Sequence, residues 1–571
     1  MKEARGYAPR LWVLVGYALY RRARRRLRAG PAYRWRYAGR TPERILVAPP
    51  DLRLADPQTA ADIYHGRFPF AGHVVEASGQ SPFQLEVNNP AWLENLNSFR
   101  WLRHMREAGT DLAAANARAL VSEWIAAHGS RISGLAWDPA VTSRRVIAWL
   151  QHSVIVLHGA EYPFYRSFLR LLAVQVRYLR VMAPEMPDGE ERLRARIALA
   201  FSALALPASA AALRSAVRNL SDELERQILP DGGHISRNPA AILELLADLL
   251  PLRQTFANQA EALPPALMGA IDRMLPALRF FRHQDGTLAH FNGVGITIHN
   301  RIAAVLRHDD TIGQPLMHAP HSGYERMVAG GTTVIADTGS PPPPEVSRNA
   351  QAGCLSFEMS SGRQLFIVNA GVDSFGARDF RPLSRATAAH STATINDASS
   401  CRFNLSPRLE KVVGTAMVDG PHRVECERID KGGHQGFVAR HDGYLSRFGL
   451  LHERQLVLSG DGGTLDGNDR FFMADGRPAH GRVSDFIALR FHLHPDTRLY
   501  RDEAGRLVIG STRGGDWSFS CSGVEPEVED SIFFAGLAGP QRSRQIVLNF
   551  RASEIPEIAW RLTRVRGVLP G

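Results

Sequence analysis

The stretch HDDTIGQPLMHAPHSG (308–323) separates two texts written with different periods. Upstream, from about residue 90, apolar residues recur every three or four positions. TDLAAANARALVSEWIAAH, FYRSFLRLLAVQVRYLRVM and AAILELLADLL are examples, and this spacing puts one apolar face on each helix. Short breaks such as HGAEYP (158–163) and APEMPDGE (183–190) separate the runs. Similar helices joined by short connections predict an antiparallel array, either a solenoid or a closed toroid. Downstream, from about residue 322, TTVIADTG, CLSFEMSS, HERQLVLS, DFIALRFHLHP and RQIVLNF alternate apolar with polar between Gly/Asp/Asn turns. That pattern predicts an antiparallel β-sandwich or related layers. The expected fold class is α+β multidomain: a helical unit over 45–315, an antiparallel β-unit over 316–571, and residues 1–44 standing apart. Residues 45–90, rich in proline and isolated aromatics, are read as a cap or small extra strands.

The chain has 571 residues, 44% hydrophobic and 22% charged, with a net charge of +11. This is the composition of an ordinary folded protein with room for several cores. The charge is not spread evenly. Residues 1–44 hold thirteen Lys/Arg against Glu3 and Glu43, which leaves 55 bases against 55 acids in the remainder. A nucleic-acid function for the body loses its support on that count. Within the arm, LWVLVGYALY (11–20) is followed by RRARRRLR (21–28). Ten apolar residues are too few to span a bilayer, and six arginines stand where a signal peptide carries its small-residue cleavage site. Two readings remain: a basic amphipathic helix lying on an anionic membrane, or a helix docked on the body with a solvated basic end. The absent signal peptide leaves a cytoplasmic or inner-membrane-associated location as the expectation. Cys354, Cys401, Cys426 and Cys521 have neither zinc-type spacing nor a small disulfide framework, and are read as lone thiols.

No phosphate loop, GxSxG elbow, HExxH or dinucleotide fingerprint is present. What remains is histidine, arginine, asparagine and tyrosine in connections. LPDGGHISRNPAAI (229–242) crowds His234, Arg237 and Asn238 into one turn. SDELERQIL before it reads as a helix with Ser221 as N-cap; Asn238 followed by Pro239 reads as N-cap and first residue of the next. A helix entrance beside an arginine suits an anion. RATAAHSTATIND (385–397) places His390 at the start of an alternating strand among small neighbours, open to a ligand. HQDGTLAHFNG (283–293) holds His290 and Asn292, and HSGYERM (321–327) holds Tyr324 and Arg326. His492 and His494 share a strand face but lack an evident third metal ligand.

Taken in order, NNPAWLENLNSFRWL, DGGHISRNP, DGTLAHFNG, SGYERM and AHSTATIND resemble the heparinase II/III family of polysaccharide lyases over most of residues 80–550. The resemblance implies an incomplete (α/α) toroid joined to a β-sandwich, with a cleft at their junction for an acidic polysaccharide of glycosaminoglycan or alginate type. It implies β-elimination at a uronic acid. It also implies a periplasmic location, against the cytoplasmic or inner-membrane-associated one that the absent signal peptide leaves. The C5 proton is removed while the carboxylate charge is neutralised, so that charge can spread into an enolate-like intermediate. Arg237, His234 and Asn238 are the expected neutralising group, and His390 one of the acid–base pair, since an imidazole serves near neutral pH. Asn292 and Arg326 are expected to contact substrate. Relatives carry a catalytic tyrosine in the toroid, whereas this chain has none between Tyr178 and Tyr324. His290, Tyr324 or Tyr444 takes that role, or it is vacant. Zinc-holding relatives carry a second histidine two residues after the catalytic one; Thr392 stands there, and no cofactor is expected. Two alternatives stay open: a binding relative without turnover, and a glycoside hydrolase using Asp231 and Asp285.

Overall fold

The computed structural model describes residues 9–308, 315–374, 380–479 and 485–565. Residues 309–314 of the seam and 1–8 of the arm lie outside them. Four helix starts in the first half share one device. Asp56, Asn89, Asp138 and Asn238 each accept a hydrogen bond from a first-turn N–H, and each precedes a proline. The side chain satisfies an orphan donor, and the proline is already held near helical φ with no N–H to satisfy. Helices Pro139–Gln151, Glu190–Ala205 and Pro239–Asn258 pack together as the inner wall of an incomplete (α/α) toroid. Around it Trp92, Trp124, Trp137 and Trp149 are fully enclosed. Ser221 is not an N-cap. Helix Ala210–Gln227 runs through it and is capped by Ser209, because no Gly or Pro interrupts the stretch. Within 45–90 a two-stranded hairpin forms, Arg67–Phe70 with His73–Glu76.

The second half is two antiparallel sheets packed face to face. One runs, in spatial order, Glu527–Phe533, Gln541–Arg551, Phe486–Leu493, Gln364–Val368, Phe357–Ser361, Thr332–Asp337, Tyr324–Ala329 and His318–Ala319, with Ala393–Ile395 added on Phe486–Leu493. The other starts at Val424–Lys431 and includes the long pair Thr464–Met473 and Glu557–Val565. Trp560 fills the space between them by lying across Gly467, where a Cβ would come within 2.1 Å of the indole. The two halves share apolar packing: Tyr324 and Ile335, from the first strands, belong to the helical core.

Helix Pro9–Ala29 docks on the body by one face. Leu11 and Val15 are buried against Leu409, Val412, Val413 and Val418, and Glu185 accepts from Arg24 at 3.2 Å and Arg28 at 2.8 Å. The opposite face is apolar and exposed. Trp12 and Leu19, Val13 and Tyr20, and Tyr20 and Leu27 recur on it two helical turns apart, at seven-residue spacing, with Arg22 and Arg26 along one flank and Arg24 and Arg28 along the other. Among the described residues no helix is long and apolar enough to cross a membrane.

Candidate functional site at the junction of the two halves

The turn carrying His234 is closed by a short bridge between Ile228 and His234. Arg237, three residues on, sits at φ 57°, a left-handed conformation that aims its side chain across the junction. There its donors are all taken. Nε donates to Ser322 O at 2.6 Å, Nη1 to Gly339 O and Ser340 O at 3.2 and 3.1 Å, and Nη2 to Gly323 O at 2.8 Å and Asp337 Oδ1 at 2.6 Å. The fit depends on glycine: a Cβ on Gly339 would lie 2.6 Å from Nη2. Burial works against both charges and raises the Asp337 carboxyl, while Asp337, with Tyr324 adding, holds the Arg237 guanidinium above its ordinary value. Arg237 therefore fastens the β-half to the toroid. The expected uronate-neutralising role finds no free donor here.

Tyr324 belongs to the same knot. Its ring lies 4.7 Å under the Arg237 guanidinium; its hydroxyl donates to Arg237 O at 2.7 Å and accepts from Asn292 Nδ2 at 2.7 Å. Burial pushes the phenol well above its ordinary value. Asn292, at φ 48°, also donates to Asp337 Oδ2 and accepts from Gln351 N. Tyr444 is buried as well and donates to Ala393 O. Neither tyrosine presents a free phenol, and Asn292 has both ends of its amide engaged.

His234 turns away from the junction. Ser236 N donates to Nδ1 at 3.1 Å, so the proton sits on Nε2, which donates to Gln227 Oε1 at 2.9 Å. Burial, with Arg194 adding, pulls it down to about 3, so the ring is neutral and cannot counter a carboxylate. Asn238 is the N-cap, with Oδ1 accepting from Ala240 N at 2.9 Å, while its Nδ2 has no partner among the described residues. Arg326 donates to Phe280 O and Arg282 O. It closes the carboxyl end of helix Pro265–Phe280, where a cation is favoured. Asp231 caps Ser322 and Gly233, and Asp285 caps its own turn at Thr287. The two carboxylates of the hydrolase alternative are thus held by loop backbone.

The far side of the junction differs. Glu358, wholly buried, accepts from His290 Nδ1 at 3.2 Å, His290 N at 3.1 Å, Asn369 N at 2.8 Å and His283 Nε2 at 3.2 Å. Burial alone would raise this carboxyl; His290 and His283 hold it far below the usual range. His290 Nε2 has no partner among the described residues. His390 is not on an open strand. It ends a single turn, Thr387–Ala389, is 1% exposed, and bonds Ala386 O through Nδ1; the strand begins only at Ala393. Its Nε2 is buried without a partner, as are Ser356 Oγ and Asn369 Nδ2. Ser356 Oγ and the His390 ring both lie about 3 Å from the point a Cβ on Gly353 would occupy, at 3.1 and 2.8 Å. Burial lowers His390 to about 4. His492 bonds Ser531 and Ala388 O, and no cluster of metal-type side chains occurs among the described residues. Glu358, Asp337, Ser356 and Asn369 were missed from the sequence. The one signal was an acid inside the apolar run CLSFEMSS.

Comparison with known proteins agrees with this architecture. The family model "Heparinase II/III-like, C-terminal" matches residues 311–561. FtsZ-localized protein C of Caulobacter vibrioides (strain NA1000 / CB15N) is 33% identical over 551 residues, spanning 94% of this chain and 93% of that protein. Among solved structures, heparinase III superposes with a TM-score of 0.70 at 14% identity, covering 94% of this chain and 89% of its own. A mutant of the heparan sulfate lyase HepC from Pedobacter heparinus gives 0.60 at 15% identity, covering 97% and 88%. With the toroid, the sandwich and a full-length relative in agreement, the chain belongs to the heparinase II/III-like family.

Proposed function

We propose that this protein is a binding member of its family: a lyase frame kept without lyase turnover and held on an anionic membrane by its N-terminal helix. The observation that carries the reading is the outward apolar face of Pro9–Ala29, flanked by arginines. Trp and Tyr on such a face suit the headgroup boundary, and arginines suit anionic lipid. Because Leu11 and Val15 anchor the other side, the helix can meet a bilayer without leaving the body. Loss of turnover is supported by the commitments of Arg237, Tyr324 and Asn292: elimination requires charge and donors that face substrate. The relative's name, FtsZ-localized protein C, supports placing the role where FtsZ localises.

Flotation with phosphatidylglycerol-containing and pure phosphatidylcholine vesicles tests this. The full chain is expected to float with the first only, and Val13→Asp/Tyr20→Asp to abolish it. Equal behaviour of the variant and the unmodified chain overturns the reading.

A second reading, elimination of a uronate glycan at the junction, is favoured by the unpartnered atoms of His390, Ser356 and Asn369. A neutral His390 accepts a proton, yet a pKa of about 4 makes it a weak base near pH 7. Appearance of an unsaturated product tests this one.

A further inference from the structure

Seven of the nine tryptophans are at most 3% exposed, and Trp12 lies on the outward face of helix Pro9–Ala29. Trp35 is left, and it is 72% exposed. It stands on the 3₁₀ turn Pro31–Tyr37, which follows that helix and folds against its end. An indole joins a large apolar surface to a single polar donor, so most tryptophans are buried or placed where one side is apolar and the other wet.

The turn is bolted to the body, so this exposure is not that of a loose end. Tyr37 is buried. Its hydroxyl donates to Arg28 O at 2.7 Å, its ring meets Tyr178 edge-on at 5.7 Å, and its carbonyl accepts from Arg177 Nη1 at 3.0 Å. Within the turn Tyr33 N donates to Gly30 O at 3.0 Å, and Ala38 N to Trp35 O at 3.2 Å. The Arg36 guanidinium lies 5.6 Å from the Tyr33 and Trp35 ring centroids, which fixes a cation beside the indole. The Arg177 bond also sets the turn beside one face of helix Tyr162–Met182. Arg166, Arg170, Val174 and Arg177 recur along that face at three- and four-residue spacing, and Arg180 borders it. Arg170 and Arg180 are exposed, and among the described residues neither meets a carboxylate.

We propose that the Trp35–Arg36 turn and the arginine face of helix Tyr162–Met182 form a second contact with an anionic bilayer, beside that of helix Pro9–Ala29. This contact rests on the membrane reading of that helix and extends it to the toroid itself. An indole suits the headgroup boundary, and unpaired arginines around it suit anionic headgroups. A protein partner fits less well: protein interfaces are depleted of charge at their centre, whereas here one aromatic side chain stands amid like charges. A helix alone touches a surface along one line. A contact off that line fixes how the body leans over the bilayer.

Phosphatidylglycerol vesicles with brominated acyl chains test this, because bromine quenches an indole that reaches the chains and leaves the seven buried tryptophans alone. The full chain is expected to lose fluorescence on these vesicles and to keep it on unbrominated ones. Trp35→Phe should lose a clear part of the quenched amplitude at saturating lipid, the rest coming from Trp12. Arg170→Gln/Arg180→Gln, which leaves helix Pro9–Ala29 untouched, should weaken vesicle affinity at least about fivefold at low salt. Quenching in Trp35→Phe equal to that of the unmodified chain overturns the proposal, and so does unchanged affinity in the double arginine variant. In either case flotation of the unmodified chain leaves the membrane reading of helix Pro9–Ala29 standing. An unmodified chain that does not bind these vesicles at all overturns both.

Discussion

Arg237 and the arginines of helix Pro9–Ala29 carry the same group into opposite settings. At the junction one guanidinium gives every donor to the β-half and leaves nothing for a ligand. On the N-terminal helix Arg26 stands exposed beside an apolar face that no described residue covers, and exposed Arg22 spends only Nη1, on Lys411 O. The difference shows that residue type at a motif position does not make a site; uncommitted donors do. The junction has the family's vocabulary but works as a joint, and the arm, outside the family's motifs, has a surface still free to bind.

Breaking the joint should give the largest effect. Asp337→Ala strands Arg237 as a buried unpaired charge, which costs about 3–5 kcal/mol of unfolding free energy. Denaturant melts of variant and unmodified chain measure it; a loss below 1 kcal/mol would mean the two halves are fastened elsewhere. Tyr324→Phe leaves Arg237 O and Asn292 Nδ2 each short of a partner and should cost about 1–3 kcal/mol.

Acid sharpens the same contrast. His234 and His492 are held near 3 and His390 near 4, each chiefly by burial. Unfolded, they titrate near about 6.5. Between those values the unfolded chain binds more protons, so stability is complete above pH 6.5 and falls as pH drops toward the folded values. His234→Gln should remove about one proton from that dependence, or about 1.4 kcal/mol per pH unit. Melts at pH 7, 6 and 5 give the slope. Val13→Asp/Tyr20→Asp should be the quietest, within about 0.5 kcal/mol of the unmodified chain, while removing vesicle binding.

How much of this was legible in the sequence follows from the range of the interactions. The helix start at Asn238–Pro239 is local chemistry, and so is the period change at the seam. Both were readable. That Arg237 meets Asp337, a hundred positions away, is long-range chemistry with no local mark. Its left-handed backbone, which decides where the side chain goes, is not announced by an arginine. His390 was read as open because its neighbours are small. Small neighbours instead let strands close over it, leaving it 1% exposed. The motifs identified the family correctly because order along the chain survives even when donors are reassigned.

The most direct test of the central claim is a screen of the full chain against uronate-containing polysaccharides, followed by absorbance at the ultraviolet edge, where elimination leaves a conjugated double bond. A lyase frame without turnover predicts no product above blank on any glycan, and the same for His390→Ala. Time-dependent product from the unmodified chain that is lost in His390→Ala would contradict it.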